Sequence, residues 1–73
     1  MERFLVLTTT TEQPLANRTC AVLEDAGIPV MIEHVEITDG GSRALGFRLM
    51  VPSQFTQTAM RLIAATSTAY YEN

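Results

Sequence analysis

The ten residues Leu23-Glu24-Asp25-Ala26-Gly27-Ile28-Pro29-Val30-Met31-Ile32 constrain the fold of this chain more than any other segment. They read as the last turn of a helix, a glycine stop and the immediate start of a strand. Gly27 suits the left-handed position just past a helix end, where a Cβ is costly. Pro29 cannot continue a helix, and it is tolerated where a strand begins. The junction leaves strand and helix before it, hairpin and helix after it.

The first strand is expected over Arg3 to Thr9. Phe4 and Val6 lie on one of its faces and Leu5 and Leu7 on the other, so it expects cover on both sides. The threonines at 8 to 11 lead into a helix capped by Thr11 or Gln13, with Pro14 in its first turn. Ala16, Thr19, Cys20, Leu23 and Ala26/Gly27 recur at helical spacing and form its buried stripe. A second strand is expected from Pro29 to Thr38. Its apolar parity switches from Val30 and Ile32 to Val35 and Ile37, which predicts a bulge at Glu33-His34. Asp39-Gly40-Gly41-Ser42 supplies a tight turn, so the strand folds back as a hairpin.

The third strand alternates cleanly, with Leu45, Phe47, Leu49 and Val51 on one face and Ala44, Gly46, Arg48 and Met50 on the other. Pro52 ends it and Ser53 is placed to cap the last helix. That helix carries an apolar stripe of Phe55, Ala59, Leu62, Ile63, Thr66 and Ala69/Tyr70. The tail from Tyr71 is expected to fray.

The order β-α-β-β-α predicts an α+β fold. It is a two-layer plait, ferredoxin-like but lacking the last strand, with both helices on one face of a three-stranded antiparallel sheet. The expected strand order is 2-3-1. Too few residues follow the last helix for a further strand, so one edge of the first strand stays open.

The chain has 73 residues, and residues 1–73 are expected to form a single domain. A domain this small buries only ~60% of its unfolded surface, so its core is thin. Cys20 is the sole cysteine, which excludes an internal disulfide, and no Cys/His cluster supports a structural zinc. Oligomerisation is the remaining common support. The net charge is −3, lysine is absent, and Arg3, Arg18, Arg43, Arg48 and Arg61 are scattered. That pattern argues against nucleic acid and against anionic membrane surfaces as partners. Phe4 to Leu7 is too short to span a membrane and lacks the marks of a signal peptide. Residence in the cytoplasm is the expectation, in keeping with one free thiol.

Pro14-Leu15-Ala16, Leu23 to Val30, Gly46 to Pro52 and Ala59 to Ile63 together resemble a known family. It is that of small bacterial proteins labelled putative signal-transducing proteins, formerly a family of unknown function. The shared pattern is an early Pro and Ala in the first helix, Leu-x-x-Ala-Gly-Ile-Pro, a glycine-containing hairpin, Val-Pro and a helix carrying Ala. The resemblance implies a plait related in shape to PII-like regulatory domains, and it carries over no catalytic residues. Only Asp39 to Ser42 joins the hairpin, so the long ligand-binding loop of PII proteins has no counterpart here.

Candidate chemistry is sparse. His34 and Glu36 point the same way on a strand, with Glu33 adjacent, but two ligands make a weak metal site, and a solvated polar face is the simpler reading. Cys20 lies on the buried stripe and reads as a small core residue. Gly40-Gly41 lacks the lysine and following helix of a phosphate loop and reads as a hairpin turn. Thr9, Thr10 and Thr11, at the helix start, form the most favoured site for an anion or small ligand, although capping accounts for them too. Arg48 and Met50, with either Phe4 and Val6 or Leu5 and Leu7 of the first strand, make a mixed patch on the uncovered sheet face, which marks an interface, and Phe4, Val6, Arg48 and Met50 are the favoured set. One His, one Cys and no paired acid and base give an enzyme little material, and no cofactor or metal is expected. The reading is therefore a non-catalytic regulatory module, self-associating or binding an unidentified protein through its sheet face or strand edge. A metabolite or anion sensor is the alternative.

Overall fold

The computed structural model of the chain describes residues 3–71, with side chains as far as residue 65. Its elements are β1 (Phe4–Thr10), α1 (Gln13–Asp25), β2 (Met31–Asp39), β3 (Ser42–Pro52), a 3₁₀ turn (Ser53–Phe55) and α2 (Thr56–Tyr71). The strands form one antiparallel sheet in the order β1-β3-β2. Both helices pack on one side of it. This is the β-α-β-β-α plait expected from the sequence.

The α1–β2 junction is a Schellman ending. The Ile28 amide donates to the Leu23 carbonyl at 3.0 Å, and the Gly27 amide to the Glu24 carbonyl at 2.9 Å. Gly27 takes φ 81°. Ile28 then packs beside Leu23 in the core, which is the apolar contact that accompanies this ending. The chain leaves the helix already aimed along the sheet.

β3 is central and supplies the floor of the core. Phe47, Leu49 and Val51 face the helices and are buried. Ala16 and Cys20 of α1 cover Phe47 and Leu49. Leu23, Ile28 and Ala59 cover Val51, with Leu7, Val30, Phe55 and Leu62 partly buried around them. Thr19 is buried too, and its hydroxyl donates to the Leu15 carbonyl at 2.8 Å.

Several local expectations are corrected. β2 pairs with β3 without interruption, so there is no bulge at Glu33-His34. Its parity switch has another cause. Val30 packs against the core under the helices, Ile32 shares that side but is 40% exposed, and Val35 and Ile37, farther along the hairpin, turn to the opposite face. The irregularity falls in β1, between Val6 and Thr8. There Leu7 is the extra residue and packs into the core. Glu12, not Thr11 or Gln13, is the N-cap of α1, and its side chain makes no capping bond. Ala26 and Gly27 are exposed, because the helix has already ended. Ser53 makes no side-chain cap; its amide instead donates to the Arg3 carbonyl at 2.7 Å, and a 3₁₀ turn precedes α2. The side chains of Thr66, Ala69 and Tyr70, and the tail from Glu72, lie outside the described residues.

Candidate functional site: the open sheet face

In an antiparallel pair, residues directly opposite share a face. The register therefore defines the side that the helices leave uncovered. Phe4 and Val6 of β1 stand opposite Pro52 and Met50, and Thr9 stands opposite Arg48. Across the other seam Met31, Glu33, Val35 and Ile37 of β2 stand opposite Met50, Arg48, Gly46 and Ala44. The structure thus brings Phe4, Val6, Arg48 and Met50 together on one face. It adds Met31, Val35 and Ile37, which sequence reasoning missed because the expected bulge hid their parity. Val6 is 53% exposed and Met31 47%.

One ion pair sits in the middle of this apolar surface. The Arg48 guanidinium donates to the Glu33 carboxylate at 2.9 Å. Both groups are well exposed, so the pair contributes little to stability, about 0–1 kcal/mol. It neutralises the middle of the face, and Asp39, opposite Ser42 at the hairpin tip, is a further charge on the same side.

Gly46 is the small residue of this face, and the Ile37 side chain lies over it. A Cβ on Gly46 would fall on Ile37 Cδ1, with the Thr10 carbonyl oxygen 3.4 Å away. Gly46→Ala is therefore expected to cost about 1 kcal/mol, the low end for overpacking, because the obstacle is the end of a flexible side chain. Ile37→Val removes that atom. In urea denaturation the double variant should lose less than the sum of the two single changes. Simple additivity would show that Ile37 does not occupy the site.

The other candidates are dispersed. Thr9 faces the open side, Thr11 is exposed, and the Thr10 hydroxyl accepts the Glu12 amide at 3.1 Å. Thr10 also lines a cavity of about 140 Å³ between β1 and the helices, with Thr8, Leu15, Ala16, Thr19, Val22, Leu49 and Ile63. Thr8 enters this cavity only because the bulge turns it inward, a signal the threonine run does not carry. His34 and Glu36 lie on the helix side of the hairpin, while Glu33 lies on the opposite face. His34 packs edge-on against Phe47, with ring centroids 5.3 Å apart. Glu36 pairs with Arg43 at 3.6 Å. Among the described residues no cluster of three or more His, Cys, Asp or Glu could hold a metal ion. Burial pushes the Cys20 thiol up, with the Glu24 carboxylate adding to the shift. It stays protonated at neutral pH, unlike a reactive cysteine.

The arrangement as a whole, a helix-covered plait with a structural Ala-Gly-Ile-Pro junction, can be set beside known proteins. The model of a family described as "putative prokaryotic signal transducing protein" matches residues 5–67. The chain belongs to that family. The match runs from β1 into α2 and so covers all of the sheet but Phe4, together with the junction. The family's description is of signal transduction and not of catalysis. No curated protein and no solved structure matches the chain. Among the described residues no helix is long and apolar enough to cross a membrane.

Proposed function

We propose that this chain is a small bacterial regulatory module that acts by binding protein through its open sheet face, and not by catalysis. The reading takes residues 1–73 as one domain resident in the cytoplasm. The observation that carries it is the row Phe4, Val6, Met50, Met31, Val35 and Ile37, left uncovered on one side of the sheet while both helices cover the other. Contiguous apolar surface of this kind marks interaction sites. The strand edges favour it less. β1 carries a bulge along its length and β2 carries Glu33, Glu36 and Asp39, both of which discourage edge pairing.

The test is a photo-crosslinking residue at position 50, introduced in the native host, with position 60 as control. Met60 is 56% exposed but lies on α2, away from the sheet face. Position 50 should give a protein adduct that position 60 does not. No adduct at position 50 overturns the reading.

The cavity favours a second reading, a sensor of a small molecule. Its lining is mostly aliphatic, with three threonines, and it suits an uncharged apolar ligand better than an anion. Such a ligand, at a hundred times its Kd, would stabilise the native state by about 2.7 kcal/mol. A melting screen against small apolar metabolites decides it, and a flat screen removes the sensor reading.

A further inference from the structure

We propose that the occupant of the open face is a second copy of this chain, docked about a two-fold axis running along the strands between β2 and β3. The proposal rests on the reading of that face as a protein-binding surface, and two observations support it.

The first is the register. Such an axis lays β3 of one copy over β2 of the other. The pairs that are neighbours within a chain become pairs across the interface: Met50 over Met31, Arg48 over Glu33, Gly46 over Val35 and Ala44 over Ile37. Aliphatic side chains meet at the hairpin end, where Ile37 of each chain already covers its own Gly46, and two methionines, which adapt to irregular gaps, meet at the other. This is the self-complementarity that an isologous dimer requires.

The second is charge. Between Met31 and Ile37, and between Ala44 and Met50, the face carries one cation and one anion. Turning a second copy over this pair places each guanidinium beside the carboxylate of the other chain. Four charges then alternate in sign around a ring. The central pair thus complements its own copy.

The experiment uses two opposite charge reversals, Arg48→Glu and Glu33→Arg. Each variant breaks the ion pair within its own chain and places like charges at the centre of a homodimer. Each should therefore associate roughly tenfold or more weakly than the parent, since facing like charges are strongly unfavourable. Mixed in equal amounts, the two should recover dimers, and native mass spectrometry distinguishes the heterodimer by its intermediate mass. Circular dichroism establishes that each variant is folded. If either is not, Val35→Arg loads a charge opposite Gly46 of the other copy without touching the pair, and should also give a folded monomer. The proposal is overturned by a monomeric parent, by variants that dimerise as the parent does, or by a mixture that stays monomeric. The crosslink at position 50 separates this failure from failure of the underlying reading. An adduct with another protein retains the binding face and removes the second copy, and no adduct removes both.

Discussion

Leu23→Ala should lower the stability of this domain by about 3–5 kcal/mol, the range for removing a fully buried leucine side chain. Leu23 has no exposed surface and touches Ile28, Val51 and Ala59. Alanine is the best helix former, so α1 itself is not weakened. The Leu23 carbonyl, which accepts the Ile28 amide, is retained as well. The change therefore reads packing alone. A domain of this length holds about 4–11 kcal/mol in all, so the loss is a large share of it. The melting temperature should fall by roughly 15–30 °C. Leu45→Ala is the control: Leu45 is 64% exposed on the hairpin, and its loss should shift stability by no more than about 0.5 kcal/mol. If Leu23→Ala melts within a few degrees of the parent, the described core is not the one that holds the fold.

That core was legible in the sequence because its signals are local and periodic. Ala16, Thr19, Cys20 and Leu23 stand at helical spacing, Phe47, Leu49 and Val51 at strand spacing, and all are buried. The junction at Gly27 was legible because few residues tolerate a positive φ there, and the strand order followed from short connections. The far half of the open face was not legible. Val35 and Ile37 have the parity of a strand facing away from the helices, yet nothing local says where the helices stop covering the sheet. A bulge in β2 explains the same pattern until the pairing with β3 is known. The bulge in β1 was hidden for a related reason. Phe4 to Leu7 is apolar on both parities, so an extra residue at Leu7 leaves no trace in the hydrophobic pattern. The cavity depends on that bulge, on α1 and on Ile63 of α2 together, and no single segment encodes it.

The hairpin tip carries the second large effect, and it bears directly on the proposed interface. Gly40 and Gly41 take φ 57° and 87° across a two-residue turn closed by Asp39 and Ser42. Positive φ at both central positions is the requirement of a type I′ turn. A Cβ at either glycine meets nothing within 4 Å, so substitution there has a conformational cost and no steric one. At about 1–2 kcal/mol per residue for a left-handed backbone, Gly40→Val with Gly41→Val should lower stability by about 2–4 kcal/mol. Gly40→Asn, with Gly41 retained, gives a turn pair suited to the same geometry and should be close to neutral. The loss should fall first on the tip. Leu45, His34 and Glu36 are exposed there, and no helix packs over them to hold the strands once the turn is strained. Val35, Ile37, Ala44 and Gly46, half of the surface proposed to receive a second copy, belong to this segment. Amide exchange in the double valine variant should therefore accelerate at Val35 to Thr38 before it does at Leu49. Self-association should weaken at temperatures where the Leu23 core is still intact. Equal acceleration along all of β2 and β3 would show that the tip is no weaker than the core, and that the turn does not hold the far half of the face in place.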